Sequence, residues 1–125
     1  VLDYAEPARA RGLTFMNAPG FDPVAVTGQV AGGCNLVIFT TGRGSVFGFK
    51  PAPSIKVSSN SATYERLTGD MDLNAGRVLE GESLERVADD LLDLVVAVAS
   101  GGPSKSEAQD VGEAEFAPWT REGTL

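Results

Sequence analysis

Gly32-Gly-Cys-Asn-Leu-Val-Ile-Phe-Thr-Thr-Gly-Arg-Gly-Ser-Val-Phe-Gly48 is the stretch on which the fold turns. Leu36 to Phe39 is an unbroken run of β-forming apolar residues. Strands covered on both faces read this way, as in parallel sheets. Upstream, Gly12-Leu-Thr-Phe-Met16 alternates and reads as a short strand. Asn17 to Phe21 reads as a turn. Asp22 then reads as a helix N-cap, with Pro23 at the first helical position, where its missing N–H costs nothing. The helix runs to Ala31, and Gly32-Gly33 ends it. Strand, helix and buried strand make a βαβ unit, expected to be right-handed. Downstream, Lys50-Pro-Ala-Pro53 is a stiff connector and Ser54-Ile-Lys-Val-Ser58 alternates as a third strand. Ser61 can cap a short helix over 62–67. The clearest element is a helix from Leu84 to Ala99 behind Ser83. Leu84, Val87, Ala88, Leu91, Leu92, Val95, Val98 and Ala99 recur at helical spacing, and Gly101-Gly102-Pro103 stops it. The expected fold is α/β: a small three-layer Rossmann-like domain over 1–125, with a mainly parallel sheet of about three strands and flanking helices. Residues 1–11 read as a connector and 103–125 as a loosely held tail, with Phe116 and Trp119 worth burying.

The chain has 125 residues, room for one domain, and 42% of them are apolar, enough for a core. No apolar run approaches the ~20 residues of a membrane span, and no basic-then-apolar leader is present. The first residue is Val1, which suggests a piece of something longer. The single cysteine, Cys34, cannot form an internal disulfide. It reads as a buried, inert thiol in an intracellular, cytoplasmic protein. A net charge of −7 disfavours nucleic acid as a partner. The absence of histidine excludes a Ser-His-Asp triad, a Cys-His dyad and any His-based metal cage built from this chain alone. Residues 23–64 contain no acid but hold Arg43, Lys50 and Lys56, so they carry +3 and the rest carries −10. Such a window marks either a place where an anion docks or a stretch of mostly buried sheet.

Gly42, Gly44 and Gly48 after a buried strand invite a nucleotide-loop reading. The dinucleotide fingerprint needs its third glycine one residue earlier and a helix at once, which Pro51 and Pro53 prevent. A P-loop needs Gly-Lys-Ser/Thr, and Gly48-Phe49-Lys50 does not supply it. What survives is physical: glycines let backbone N–H groups face one concavity, and Arg43 offers a fork for a carboxylate. Asp70-x-Asp72-x-Asn74-x-Gly76 looks like the start of a calcium loop. Its glycine is one place late and position twelve is Gly81, so capping or loop hydrogen bonding is the better reading.

Five segments in register carry a resemblance. They are Gly20 to Gly33, Phe39-Thr-Thr-Gly-Arg-Gly-Ser-Val-Phe-Gly48, Lys50-Pro-Ala-Pro-Ser-Ile-Lys56, Asp70-Met-Asp-Leu-Asn-Ala-Gly76 and Ala99-Ser-Gly-Gly-Pro-Ser-Lys-Ser-Glu107. Over nearly its whole length the chain resembles the C-terminal domain of the galactarate dehydratase/altronate dehydratase (altronate hydrolase) family, whose members are much longer. The resemblance implies a hydro-lyase that takes water from a galactarate- or altronate-type sugar acid and leaves a 2-keto-3-deoxy acid. It implies a divalent metal, usually iron, in the full-length enzyme and none held by this stretch, which alone is expected to be inactive. It implies a sugar-acid substrate, upstream domains of the same chain as partners, no membrane, and self-association left open. On that reading Arg43 takes a substrate carboxylate, Thr41 and Ser45 take hydroxyls, Lys50 or Lys56 stabilises charge, and Asn60 orients a group. Lys56 as the base requires a depressed pKa. Two other readings stay open: the large subunit of a sulfolactate sulfo-lyase, and a domain for assembly alone with the chemistry wholly upstream.

Overall fold

Three strands lie side by side in the order β1 (Val37–Thr41), β2 (Ser54–Ser58) and β3 (Leu73–Asn74), all parallel. The computed structural model describes residues 1–118. Val37 pairs with Ser54 and Thr41 with Ser58, and Ser58 pairs with Asn74. Partners in such a ladder share a face. Val37, Phe39, Ser54 and Lys56 therefore lie on one side of the sheet, and Ile38, Ile55, Val57 and Leu73 on the other.

Helix α1 (Asp22–Ala31) covers the first side. Val26 packs there with Val37, Phe47, Phe49 and Ala52, and Phe39 stacks on Phe47 at 5.4 Å between ring centres. The long helix α3 (Leu84–Ala99) covers the other side, where Val87 and Val98 meet Ile55, Val57 and Leu73. Helix, sheet and helix give the three layers. Fully burying a side chain such as Ile55 is worth about 2 kcal/mol, so the two clusters hold the sheet from both sides. α3 starts behind Ser83, whose Oγ accepts from Arg86 N, and the chain turns away at Gly101 with φ +99°. The apolar band of α3 is wider than the surface it covers, so Leu84, Leu92 and Val96 remain exposed.

The crossovers differ from the sequence reading. Residues 12–16 form no strand of the sheet; Met16 makes a single parallel bridge to Leu2. Gly12 at φ +95° interrupts extended backbone, and Leu13 and Phe15 both point to solvent. The expected βαβ unit around α1 is therefore absent. The unit that forms is β2, α2 (Ser61–Arg66) and β3, while β1 reaches β2 through the helix-free loop 42–53. β1 lies at the edge of the sheet, and none of its residues joins the cluster under α3. Ile38 is 45% exposed in the run that reads as covered on both faces.

Two caps sit one residue earlier than expected. Phe21, not Asp22, is the N-cap of α1, and Asp22 lies in the first turn, where its charge favours the helix dipole. Asn60, not Ser61, caps α2. Cys34 is exposed rather than buried, because the chain enters the core only at Leu36. Residues 1–11, read as a connector, run back onto α1: Tyr4 OH donates to Val24 O and Ala8 N to Gly32 O. Within the stretch read as a loose tail, α4 (Lys105–Ala108) is fastened down. Ser104 and Glu107 form a reciprocal capping box, Ser106 Oγ donates to Ser54 O, and both serines are buried. Ala117 N donates to Thr27 Oγ1 on α1, while Phe116 stays exposed. Trp119 lies outside the described residues.

Candidate functional site

Parallel pairing brings the carboxyl ends of all three strands to one edge. Thr41, Ser58 and Asn74 close the strands there, and the chain leaves through Gly42-Arg43-Gly44, through Ser59-Asn60 and through Ala75-Gly76. Open α/β sheets place ligands outside this end of their strands.

Asn60 organises the edge. Its Oδ1 accepts from Thr63 N at 2.8 Å, which caps α2, and its Nδ2 donates to Gly42 O at 2.8 Å. Thr63 Oγ1 donates to the same carbonyl at 2.9 Å. The glycine-rich loop is thus pinned from below by two side chains. Inside the loop, Gly44 N donates to Thr41 Oγ1 at 3.1 Å and Phe47 N to Ser45 Oγ at 3.0 Å. Both hydroxyls accept from backbone, and each keeps its own hydrogen to donate. Gly44 takes φ +96°, a conformation L side chains rarely adopt. The third strand end closes on the second. Asn74 Oδ1 accepts from Gly76 N, its Nδ2 donates to Ser61 Oγ, and Gly76 lies directly against the backbone of Asn60 and Ser61.

Arg43 is exposed on this loop, and no carboxylate lies within ion-pair distance of it among the described residues. Its planar fork matches a carboxylate in two parallel hydrogen bonds. Thr41, Arg43, Ser45 and Asn60 therefore belong to one edge. Lys50 does not join them. It lies before the start of β2, and its Nζ bonds Asp110 at 2.7 Å and Glu113 at 2.9 Å. These bonds raise its pKa above the usual lysine value and lower that of Asp110.

Lys56 sits in the middle of β2 and is 1% exposed. Its backbone N–H donates to Asp72 Oδ2, but its Nζ makes no hydrogen bond or ion pair among the described residues. Burial pulls the Lys56 pKa below the ordinary lysine value, against the opposing pull of Asp70 and Asp72. Asp72 meanwhile accepts from Lys105 N through Oδ1, and Asn74 caps the 3-10 turn Ala75–Glu80. Asp72 and Asn74 of the stretch resembling a calcium loop are therefore spent on hydrogen bonds within the fold. Among the described residues no three His, Cys, Asp or Glu side chains converge where they could hold an ion. The described residues thus offer no such ligand set for the divalent metal that the resemblance implies.

An open cleft of about 370 Å³ adjoins the third strand end, lined by Tyr64, Asp72, Asn74, Arg77, Asp90 and Leu94 among others. Its cation is already neutralised, because Arg77 bonds Asp90 at 2.7 Å and pairs with Glu82 at 3.3 Å. The bond to Arg77 holds the Asp90 carboxyl below the usual aspartate range. Concavity favours this cleft; an exposed arginine on a pinned loop, with no ion-pair partner among the described residues, favours the strand edge.

Sequence reasoning missed Thr63, Asn74 and Gly76 as parts of the edge, and it missed Arg66. Arg66 Nη2 donates to Arg43 O at 3.2 Å. The one available signal was position, since Arg66 follows directly on the acid-free window and Glu65.

A family model described as D-galactarate/altronate dehydratase, C-terminal, matches residues 1–124. The altronate dehydratase of Bacillus subtilis is 39% identical over 114 residues, covering 90% of this chain and 23% of its own length. The galactarate dehydratase (L-threo-forming) of Escherichia coli is 37% identical over 102 residues, covering 81% of this chain and 20% of that protein. The (2R)-sulfolactate sulfo-lyase subunit beta of Chromohalobacter salexigens is 33% identical over 117 residues, covering 93% of this chain and 30% of that subunit. The chain thus spans between a fifth and a third of the length of these relatives. No helix among the described residues is long and apolar enough to cross a membrane.

Proposed function

This chain belongs to the D-galactarate/altronate dehydratase family as its C-terminal domain, and from that premise we propose that it serves a hydro-lyase acting on a sugar acid. The reaction removes a proton α to a carboxylate, stabilises the resulting enediolate and expels hydroxide with the help of an acid, leaving a 2-keto-3-deoxy acid. The part assigned to this chain is recognition. Arg43 holds a substrate carboxylate, and Thr41 and Ser45 donate to or accept from hydroxyls. Asn60 acts as a positioning residue that fixes Gly42 and hence the direction of Arg43. Lys56 is the candidate for proton removal or charge stabilisation, because burial favours the neutral amine that a base requires. A divalent metal would be held by another part of the assembled enzyme, and the chain alone is expected not to turn over substrate. The observation that carries this reading is an exposed arginine, without a carboxylate partner among the described residues, on a loop whose carbonyl is pinned by Asn60 and Thr63 at the carboxyl edge of a parallel sheet.

The sulfo-lyase relative supports a second reading, in which sulfite rather than hydroxide leaves the carbon next to the one deprotonated. Steady-state kinetics of the enzyme carrying this chain, with galactarate, altronate and sulfolactate, separates the two. Arg43→Lys keeps the charge and loses the fork, and a hydrogen bond to a charged group contributes about 1.5–3 kcal/mol. The expected loss in kcat/KM is therefore roughly 10- to 150-fold. Wild-type kinetics in Arg43→Lys, alongside normal turnover, would reduce this chain to an assembly domain.

A further inference from the structure

Every other cation with a contact at its charged end is committed elsewhere. Lys50 pairs with Asp110 and Glu113, Arg77 with Glu82 and Asp90, and Arg86 with Asp90. Lys105 gives its amine to the carbonyls of Thr68 and Met71 and lies over the ring of Tyr64. Arg43 and Arg66 differ, as do Arg9 and Arg11 near the start of the chain, but only Arg43 and Arg66 lie at the strand edge. Both are exposed, and neither has a carboxylate within ion-pair distance among the described residues, although the chain carries 17 acids to 10 bases. They are also neighbours in space, because Arg66 Nη2 donates to the backbone carbonyl of Arg43.

That bond fixes where the second guanidinium sits. α2 begins at the Asn60 cap, and Asn60 and Thr63 both hold Gly42 O. The last residue of the same helix holds the next carbonyl along the loop. One short helix thus grips two successive carbonyls and sets Arg66 within one side chain's reach of the Arg43 fork. The bond uses one of the five N–H donors of Arg66 and leaves four. A bound anion of charge −2 can match both of these cations where a monoanion leaves one unmatched.

We propose that Arg66 is a second recognition residue of this edge, and that Arg43 and Arg66 together select sugar acids with a carboxylate at each end over those with one. The proposal deepens the recognition role proposed above for Arg43 and rests on it. In it, one carboxylate meets the Arg43 fork and the other meets the free N–H groups of Arg66.

Calorimetric titration of the full chain at constant ionic strength tests this without turnover. The probes are galactarate, with two carboxylates, galactonate, with one, and inorganic phosphate, a compact anion able to satisfy a bare cationic patch. Galactarate is expected to bind at least tenfold more tightly than galactonate. Arg66→Gln should weaken galactarate at least tenfold, leave galactonate nearly unchanged and so erase the preference. Arg66→Lys should fall between, because it keeps the charge and loses the fork. Circular dichroism of each variant checks that the fold is intact. A purely structural Arg66 would weaken both sugar acids alike, and that result overturns the proposal. So does the absence of saturable galactarate binding, or phosphate binding more tightly than galactarate. Failure of the dehydratase reading is separate: it appears as lack of turnover by the enzyme carrying the chain, whatever the preference in the titration.

Discussion

Substituting Gly76 by alanine should loosen the strand edge and the fold together. A Cβ on Gly76 would sit within 2.5 Å of the carbonyl carbon of Asn60 and closer still to Asn60 Cα and Ser61 N. Unbonded carbon atoms rest at about 3.5–4.0 Å, so the overlap is ~1 Å or more. The obstructing atoms are backbone, and they are fastened. Asn60 is tied to Thr63 and Gly42, and the side chain of Asn74 holds Ser61 Oγ on one side and Gly76 N on the other. Overpacking of this kind costs about 1–3 kcal/mol, and immovable neighbours put Gly76→Ala at or above the upper end. For a chain of this length that is a fall in Tm of roughly 8–15 °C. Relief would push the Asn60 backbone outward and stretch its bond to Gly42 O, so the Arg43 loop should lose order as well. Gly20→Ala is the control, because its Cβ meets nothing within 4 Å and its φ is not positive. That change should stay within about 0.5 kcal/mol. Thermal melts of the three proteins followed by circular dichroism, with amide exchange at Gly44, provide the assay. A Gly76→Ala variant melting within 2 °C of wild type (~0.5 kcal/mol) would refute the close packing of strand ends argued above.

Asn60→Ala should cost about 1–2 kcal/mol through the lost helix cap, and Asn60→Asp less, since a carboxylate keeps the acceptor for Thr63 N. Asp should still free Gly42 O from its Nδ2 donor, so both variants should weaken galactarate binding; equal binding in Asn60→Asp and wild type would remove the positioning role. Lys56→Met should raise stability at pH 7 by about 1 kcal/mol, because a lysine side chain whose charged form is penalised by burial is exchanged for apolar packing. The native pKa of Lys56 lies below the unfolded value, so the unfolded chain binds more protons between the two and wild-type stability climbs with pH there. The advantage of Lys56→Met should therefore shrink as pH approaches 10, while the enzyme carrying the variant loses activity; a pH-independent difference in Tm would contradict the buried-amine account.

The parts of the fold legible in the sequence are those set by local pattern. The 16 residues of α3 and their Ser83 cap follow from helical periodicity and a terminal glycine, and β2 follows from alternation. What was hidden depends on distant partners. Leu13 and Phe15 alternate like a strand, yet no sheet edge is there to accept them. Ser104 and Ser106 look like surface residues until Asp72, far along the chain, takes the N–H of Lys105 between them. Asn60 and Ser61 are equally able caps on paper, and only the extended backbone of Asn60 decides. Of the candidate site, Thr41, Arg43, Ser45 and Asn60 could be read from one strand end and its neighbour. Lys50 shares their charge window but not their edge, because the loop after β1 crosses the sheet before β2 begins. Arg66 escaped notice because its relevance lies in a contact to a backbone carbonyl, which sequence does not record.

The central claim is that the carboxyl edge of the sheet, around Arg43, is where this domain meets a sugar acid. A crystal structure of the enzyme carrying this chain, bound to galactarate or altronate under conditions that block turnover, tests it most directly. The account predicts a substrate carboxylate within hydrogen-bond distance of the Arg43 guanidinium, over the loop pinned by Asn60 and Thr63. A sugar acid seated instead in the cleft beside Arg77 and Asp90, with Arg43 left in solvent, would contradict it.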